Sequence, residues 1–207
     1  MIAGKHKGAG MLLYPAQVAE VLAEYPEIQF SLKMRLGWEN ASECMVLVEL
    51  LNALRLSRIA LHARTGKQQY KGHPDLEAFQ GFYELCQHPL YYNGGIESLS
   101  DIRQILIRFP LLKGVFIGRG LLSSPLLAKE FKGNETFLPE QRMSIYFAFH
   151  EELFSAYSQV LQVETQLLVK MKTLWEYFLP ETDRKLLKRI KKSTRLQQYT
   201  ESVKAIF

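Results

Sequence analysis

Short apolar runs alternate with stretches of helical periodicity over about the first 130 residues, and this alternation constrains the fold more than any other feature. Strand-like runs occupy residues 28–34, 58–61, 90–92 and 114–117. Helical patterns cover residues 15–25, 40–54, 74–86 and about 98–109, with Pro15 suited to a first helical turn. Asn40 stands where the second of these helices needs a cap, and Ser98 or Ser100 opens the fourth. Strands separated by helices predict βα units and a parallel sheet.

The pattern changes after about residue 131. Glycine is absent beyond Gly133, and the spacing predicts helices over 139–161, 164–179 and 183–190, then a last one to the C-terminus. This predicts two domains: an α/β part over residues 1–131 and a helical bundle over 132–207, joined through Lys132-Gly133-Asn134. The aromatic stripe Phe147, Phe149, Phe154, Tyr157, Trp175, Tyr177 and Phe178 reads as bundle core rather than as a surface for stacking bases. No run approaches the roughly 18 apolar residues that span a bilayer. The opening Met1-Ile2-Ala3-Gly4-Lys5-His6-Lys7-Gly8 lacks the apolar stretch of a signal peptide. Cys44 and Cys86 are too few for a disulfide framework and too isolated for zinc, and each reads as a structural thiol on a helix. The expectation is a cytoplasmic protein with neither a membrane partner nor a metal.

Polar residues gather where the strands end. Lys33 and Arg35 close the first strand in Ser31-Leu32-Lys33-Met34-Arg35-Leu36-Gly37-Trp38, and His62 and Arg64 close the second. Asn93-Gly94-Gly95 follows the third and Gly118-Arg119-Gly120 the fourth. In a parallel βα array these positions share one face, the face on which βα-barrel enzymes carry their chemistry. Glycines in the last two loops let backbone N–H groups approach an anion, so a phosphorylated cofactor fits there. Taken singly, Gly-Arg-Gly reads as a turn and His62 as a structural histidine. Lys33 is harder to explain away, because a charge inside a strand must find a partner or water. Four strand ends with the same character favour a site.

These residues, in this order, resemble the tRNA-dihydrouridine synthase family. The likeness runs through Lys7-Gly8-Ala9-Gly10-Met11-Leu12, Lys33-Met34-Arg35-Leu36-Gly37-Trp38, His62-Ala63-Arg64-Thr65, Tyr70-Lys71-Gly72, Asn93-Gly94-Gly95-Ile96 and Ile117-Gly118-Arg119-Gly120. It implies a TIM barrel that holds FMN, takes electrons from NADPH and reduces the C5=C6 bond of particular uridines in tRNA. It further implies that Lys33 and His62 contact the flavin ring. Asn93, Gly94, Gly95, Gly118 and Arg119 would hold the phosphate end, while Arg35, Arg64 and Tyr70 meet the uridine or its phosphate. The chain departs from the family at Gly95, where an aspartate is usual, and at Ala63, where glycine is usual.

Only four strands can be read, against eight in a closed barrel of about 250 residues. The expectation is therefore the last four βα units of a partial TIM barrel, partnered by a missing N-terminal half. The family's proton donor, a cysteine in Asn-x-Gly-Cys-Pro, would lie upstream of Met1, so no catalytic residue falls in this chain and it is expected to be inactive alone. The net charge is +5, and Arg184, Lys185, Lys188, Arg189, Lys191, Lys192 and Arg195 concentrate positive charge beyond Asp183 without acidic neighbours. Arg184, Lys188, Lys191 and Lys192 are the residues expected to meet tRNA phosphates. Competing readings are another FMN-dependent barrel acting on a small molecule, in the manner of a dihydroorotate dehydrogenase, and an RNA-binding remnant without catalysis.

Overall fold

A computed structural model describes residues 15–207. The Lys7-Gly8-Ala9-Gly10-Met11-Leu12 segment lies outside the described residues. The chain forms two compact units, one ending at Gly118 and the other running from Arg119 to Phe207.

The first unit alternates α1 (Pro15–Glu24), β1 (Phe30–Arg35), α2 (Glu43–Asn52), β2 (Leu56–His62), α3 (Leu76–Leu85), β3 (Leu90–Asn93), α4 (Leu99–Arg108) and β4 (Gly114–Phe116). The four strands make one sheet in the order β1-β2-β3-β4, and every pairing is parallel. A strand order that never reverses, with the right-handed crossovers that βαβ units take, puts the connecting helices on one face. Packing agrees with this. Met34, Ile59, Leu61, Leu90 and Tyr92 are buried, as are Leu47 and Val48 of α2, Phe79 and Phe82 of α3, and Ile102 and Ile105 of α4. The Phe79 ring meets Tyr92 edge-on at 4.9 Å and Phe109 at 5.0 Å. Each such side chain removed from water contributes about 1.5–3 kcal/mol.

Local signals explain most boundaries. Asp75 caps α3 by accepting the Ala78 N–H at 2.9 Å. Ser98, rather than Ser100, opens α4 in a reciprocal box: its hydroxyl accepts from Asp101 N, and Asp101 accepts from Ser98 N at 2.8 Å. Asn40 does not cap α2. That helix starts at Glu43, whose carboxylate accepts the N–H groups of Trp38, Glu39 and Asn40 at 2.7, 3.1 and 2.8 Å. Asn40 is thus a donor to the cap rather than the cap.

The second unit holds α5 (Arg119–Ser123), α6 (Leu127–Gly133), α7 (Pro139–Val160), α8 (Glu164–Leu174), α9 (Arg184–Lys192) and α10 (Leu196–Lys204). Sequence reading missed α5 and α6. Lys132 and Gly133 close α6, and Asn134 caps it in the left-handed conformation (φ 48°), so these residues end a helix rather than form an open linker. The reading also carried α8 too far: it stops at Leu174, and Leu179 sits at φ 48°. Trp175 and Phe178 are buried in the core with Tyr146, Met171, Ile190, Tyr199 and Val203, and Phe149, Phe154 and Tyr157 pack partly buried around it. Within this core, Trp175 Nε1–H donates to Tyr199 Oη (2.9 Å), and Tyr199 Oη lies 2.7 Å from His150 Nε2. The tyrosine hydroxyl donates onward to Nε2, which leaves Nδ1–H to donate to Glu151 at 3.1 Å. Among the described residues, no helix is long and apolar enough to cross a membrane.

Candidate functional site

Strand register decides which side chains share a face. Arg35 pairs with His62, His62 with Asn93, and Asn93 with Phe116, while the row below runs Lys33, Ala60, Tyr91 and Gly114. Both rows alternate with the helix-facing residues Met34, Leu61 and Tyr92, so Lys33, Arg35, His62 and Asn93 project from the opposite face. Four residues picked out at separate points of the sequence therefore meet on one surface, at the C-terminal end of the sheet.

The loops beyond β1 and β2 continue the pairing. Leu36 N–H donates to Arg64 O, Gly66 N–H to Gly37 O and Lys67 N–H to Trp38 O, at 3.2, 2.7 and 2.9 Å. Arg35 donates from Nη1 to the carbonyls of Thr65 and Gln69, both at 2.8 Å. Its guanidinium also lies 5.5 Å from the centre of the Tyr70 ring, which is 60% exposed and thus accessible to a flat ligand. Arg64 is buried; it donates to Gly72 O at 3.0 Å and to His62 Nε2 at 3.2 Å. A guanidinium can only donate, so Nε2 accepts and His62 is a neutral ring carrying its proton on Nδ1. Gln68 holds the loop tip by donating to the carbonyls of Lys71 and His73 at 2.8 and 2.9 Å.

Burial, aided by the charge of Arg35, holds the Lys33 ammonium below its ordinary value. An anion beside Lys33 would restore it. Asn93 turns back to donate to Phe116 O at 2.8 Å, which fixes the start of the glycine turn. Gly94 and Gly95 both take positive φ, 133° and 62°. A Cβ on Gly94 would stand 3.1 Å from the His62 ring, and one on Gly95 2.9 Å from Pro74 Cγ. These two glycines are therefore required by conformation and by space, whereas a Cβ on Gly118 meets nothing among the described residues within 4 Å. Gly118 ends the first unit and Arg119 begins the second.

Cys44 and Cys86 stand away from this face. Cys44 is fully buried on α2, and burial pushes its thiol up to about 11. Cys86 follows α3 and is only partly buried, with its thiol also raised by burial. Among the described residues, no cluster of His, Cys, Asp and Glu could hold a metal ion.

In the second unit, a groove of about 420 Å³ lies between α9 and α10. Lys185, Lys188, Arg189 and Lys192 line one wall, and Gln198, Glu201 and Ser202 line the other. Lys188 and Lys192 therefore share a surface, while Arg184 and Lys191 are exposed on α9 outside the groove. The sequence reading found no acidic neighbour for this cluster; Glu201 is one, brought in by the turn between the helices. Lys185 and Arg189, named in the basic cluster but not among the residues expected to meet tRNA, stand three residues from Lys188 and Lys192 respectively, which places them on the same wall.

The dihydrouridine synthase family model matches residues 1–206. The chain is 35% identical over 135 residues to a probable tRNA-dihydrouridine synthase of Aquifex aeolicus, covering 62% of this chain and 42% of that protein. It is 28% identical over 137 residues to the tRNA-dihydrouridine(16) synthase of Haemophilus ducreyi, covering 63% and 42%. A probable tRNA-dihydrouridine synthase of Rickettsia conorii aligns over 173 residues at 22% identity, covering 78% and 52%. The chain thus spans about half or less of the length of these curated relatives.

Proposed function

This chain belongs to the dihydrouridine synthase family, and on that premise we propose that it is part of a tRNA-dihydrouridine synthase. The reaction would be FMN-dependent, NADPH-driven reduction of particular tRNA uridines to 5,6-dihydrouridine. The observation that carries the reading is the single face holding Lys33, Arg35, His62 and Asn93 beside the positive-φ turn Gly94-Gly95. The sheet and its one-way strand order support a partial TIM barrel, the last four βα units, completed by further units of the same polypeptide.

The residues present suit FMN. Lys33 and His62 would hold the ring, and Asn93, Gly94, Gly95, Gly118 and Arg119 the phosphate end. When bound, this cofactor supplies the hydride for C6 of the uracil, while NADPH is oxidised to NADP⁺ and a proton goes to C5 from a cysteine acid, so the C5=C6 bond becomes single. Lys33 offers a positive charge whose ammonium form an anionic ring would favour. His62, whose Nε2 accepts from Arg64, would present its ring to the cofactor in the orientation that this bond sets. Arg35 and Arg64 are oriented by carbonyls of the loop that carries Tyr70, which suits them to grip a uridine or its phosphate. The exposed Tyr70 ring offers a stacking surface.

Residues 132–207 would grip tRNA as a helical bundle domain, with Arg184, Lys188, Lys191 and Lys192 meeting phosphates. A uridine inside folded RNA must be turned out to reach a flavin, so such shape recognition is needed. The protein would act where tRNA is processed, in the cytoplasm.

The test is to purify the protein, measure released flavin, and assay dihydrouridine on unmodified tRNA with NADPH. Flavin together with dihydrouridine is the expected result for the polypeptide that carries the completing βα units, and neither is expected from residues 1–207 alone. RNA binding without flavin would instead favour a non-catalytic RNA-binding protein.

A further inference from the structure

We propose that Glu43 is a positioning residue for the substrate end of this site: its carboxylate clamps the loop after β1, and through that loop it holds Arg35 and the Tyr70-bearing loop in place. This rests on the function proposed above.

The carboxylate closes on three successive backbone N–H groups, those of Trp38, Glu39 and Asn40. Both of its oxygens are used, Oε2 by Trp38 and Oε1 by Glu39 and Asn40. Burial alone would raise this carboxyl, but the bonds from Asn40, Trp38 and Glu39 together hold it below its ordinary value. Space around the clamp is tight. A Cβ on Gly37 would stand 2.1 Å from Asn40 O and 2.8 Å from Glu43 Oε2. The pinned loop in turn organises the next one. Gly37 O and Trp38 O accept the N–H groups of Gly66 and Lys67, and the Trp38 ring lies so close to Gly66 that a Cβ there would sit 2.4 Å from Cε3. Lys67 also pairs with Glu39 at 2.6 Å. Beyond this contact, the second loop presents the Thr65 and Gln69 carbonyls that hold Arg35. Glu43 itself contacts neither Arg35 nor Tyr70, so its influence passes through backbone. Among the described residues, Lys33 and the glycine turn form no hydrogen bond with these two loops, whereas His62 touches the second through the Tyr70 ring, 6.3 Å away, and through Arg64.

Glu43→Gln keeps the size of the side chain but turns an amide toward backbone donors. Amide hydrogen exchange should then rise about tenfold or more at residues 38–40 and at 66–67. In the purified protein, KM for unmodified tRNA should rise about tenfold, with flavin content unchanged and kcat changed less than twofold. Glu43→Asp, which keeps the charge on a shorter stem, should restore part of the KM. Gly66→Ala, which pries the loops apart from the other side, should reproduce the rise and serves if Glu43→Gln fails to fold. Faster exchange with an unchanged KM would overturn the proposal, leaving Glu43 a helix-start residue only. Unchanged exchange would overturn the clamp itself. Loss of flavin would overturn the assignment to the substrate end. A wild type that makes no dihydrouridine would remove the functional reading and the positioning role with it, while exchange at 38–40 would still report separately whether the clamp exists.

Discussion

The cations of the two units are held in opposite ways. In the first unit, Arg35 and Arg64 donate to backbone carbonyls of the loop ahead of them, so each guanidinium is aimed by the fold. In the second, Lys185, Lys188, Arg189, Lys191 and Lys192 stand on the exposed side of α9, and among the described residues none of them forms an ion pair. Arginine gives directional donors suited to one geometry; exposed lysine gives mobile point charge suited to a polyanion whose phosphates need only be nearby. The contrast separates a place that selects from a place that attracts.

Substitutions should move the two units differently, and the largest effect belongs to the helical core. Phe178→Ala empties a fully buried position among Tyr146, Phe149 and Trp175. It should cost about 3–5 kcal/mol in denaturant unfolding. Gly95→Ala should come next, since φ 62° and the approach to Pro74 both oppose a Cβ. A loss of about 1–2 kcal/mol in stability is expected, and with it weaker flavin retention, measured by release on dilution. Unchanged retention would show that the glycine turn is structural only.

The buried His150 sets a pH dependence. Burial holds its protonation below the ordinary value of 6.5, even though Glu151 favours the charged form. The folded state then binds fewer protons than the unfolded state. Its contribution is fully present above about pH 6.5 and is lost as pH falls through the depressed folded value. Denaturant midpoints measured from about pH 7 to 5 should fall, and His150→Gln should flatten that part of the curve. The smallest effect is expected at α9: Lys188→Ala and Lys192→Ala should each weaken RNA binding modestly and lower the salt slope by about one unit or less. Arg35→Lys should leave that slope almost unchanged, which sharpens the contrast between aimed and ambient charge.

How far the sequence could be read follows the range of the forces involved. The alternation of short apolar runs with helical patterns led to the parallel sheet, and Lys33, Arg35 and His62 at the strand ends led to its polar face. Ser98 and Asp101, three residues apart, form a local box that needs no tertiary partner. By contrast, the role of Glu43 was hidden because Asn40 satisfies the local capping rule equally well; only the folded loop shows which oxygen the N–H groups face. Helix α6 depends on Glu130, buried and paired with Arg142 of α7, a contact that local propensity does not encode. The Trp175–Tyr199–His150 chain joins residues up to 49 apart, and no spacing rule links them.

Each strand pairs with the one that precedes it, and this has a kinetic meaning. The sheet never waits for a distant segment: each newly made strand finds its neighbour already in place, so the loop-closure entropy of each step stays small and folding can keep pace with synthesis. The same economy leaves a growing edge after every addition, so a pause in translation after any of these strands would leave the nascent chain open to mispairing.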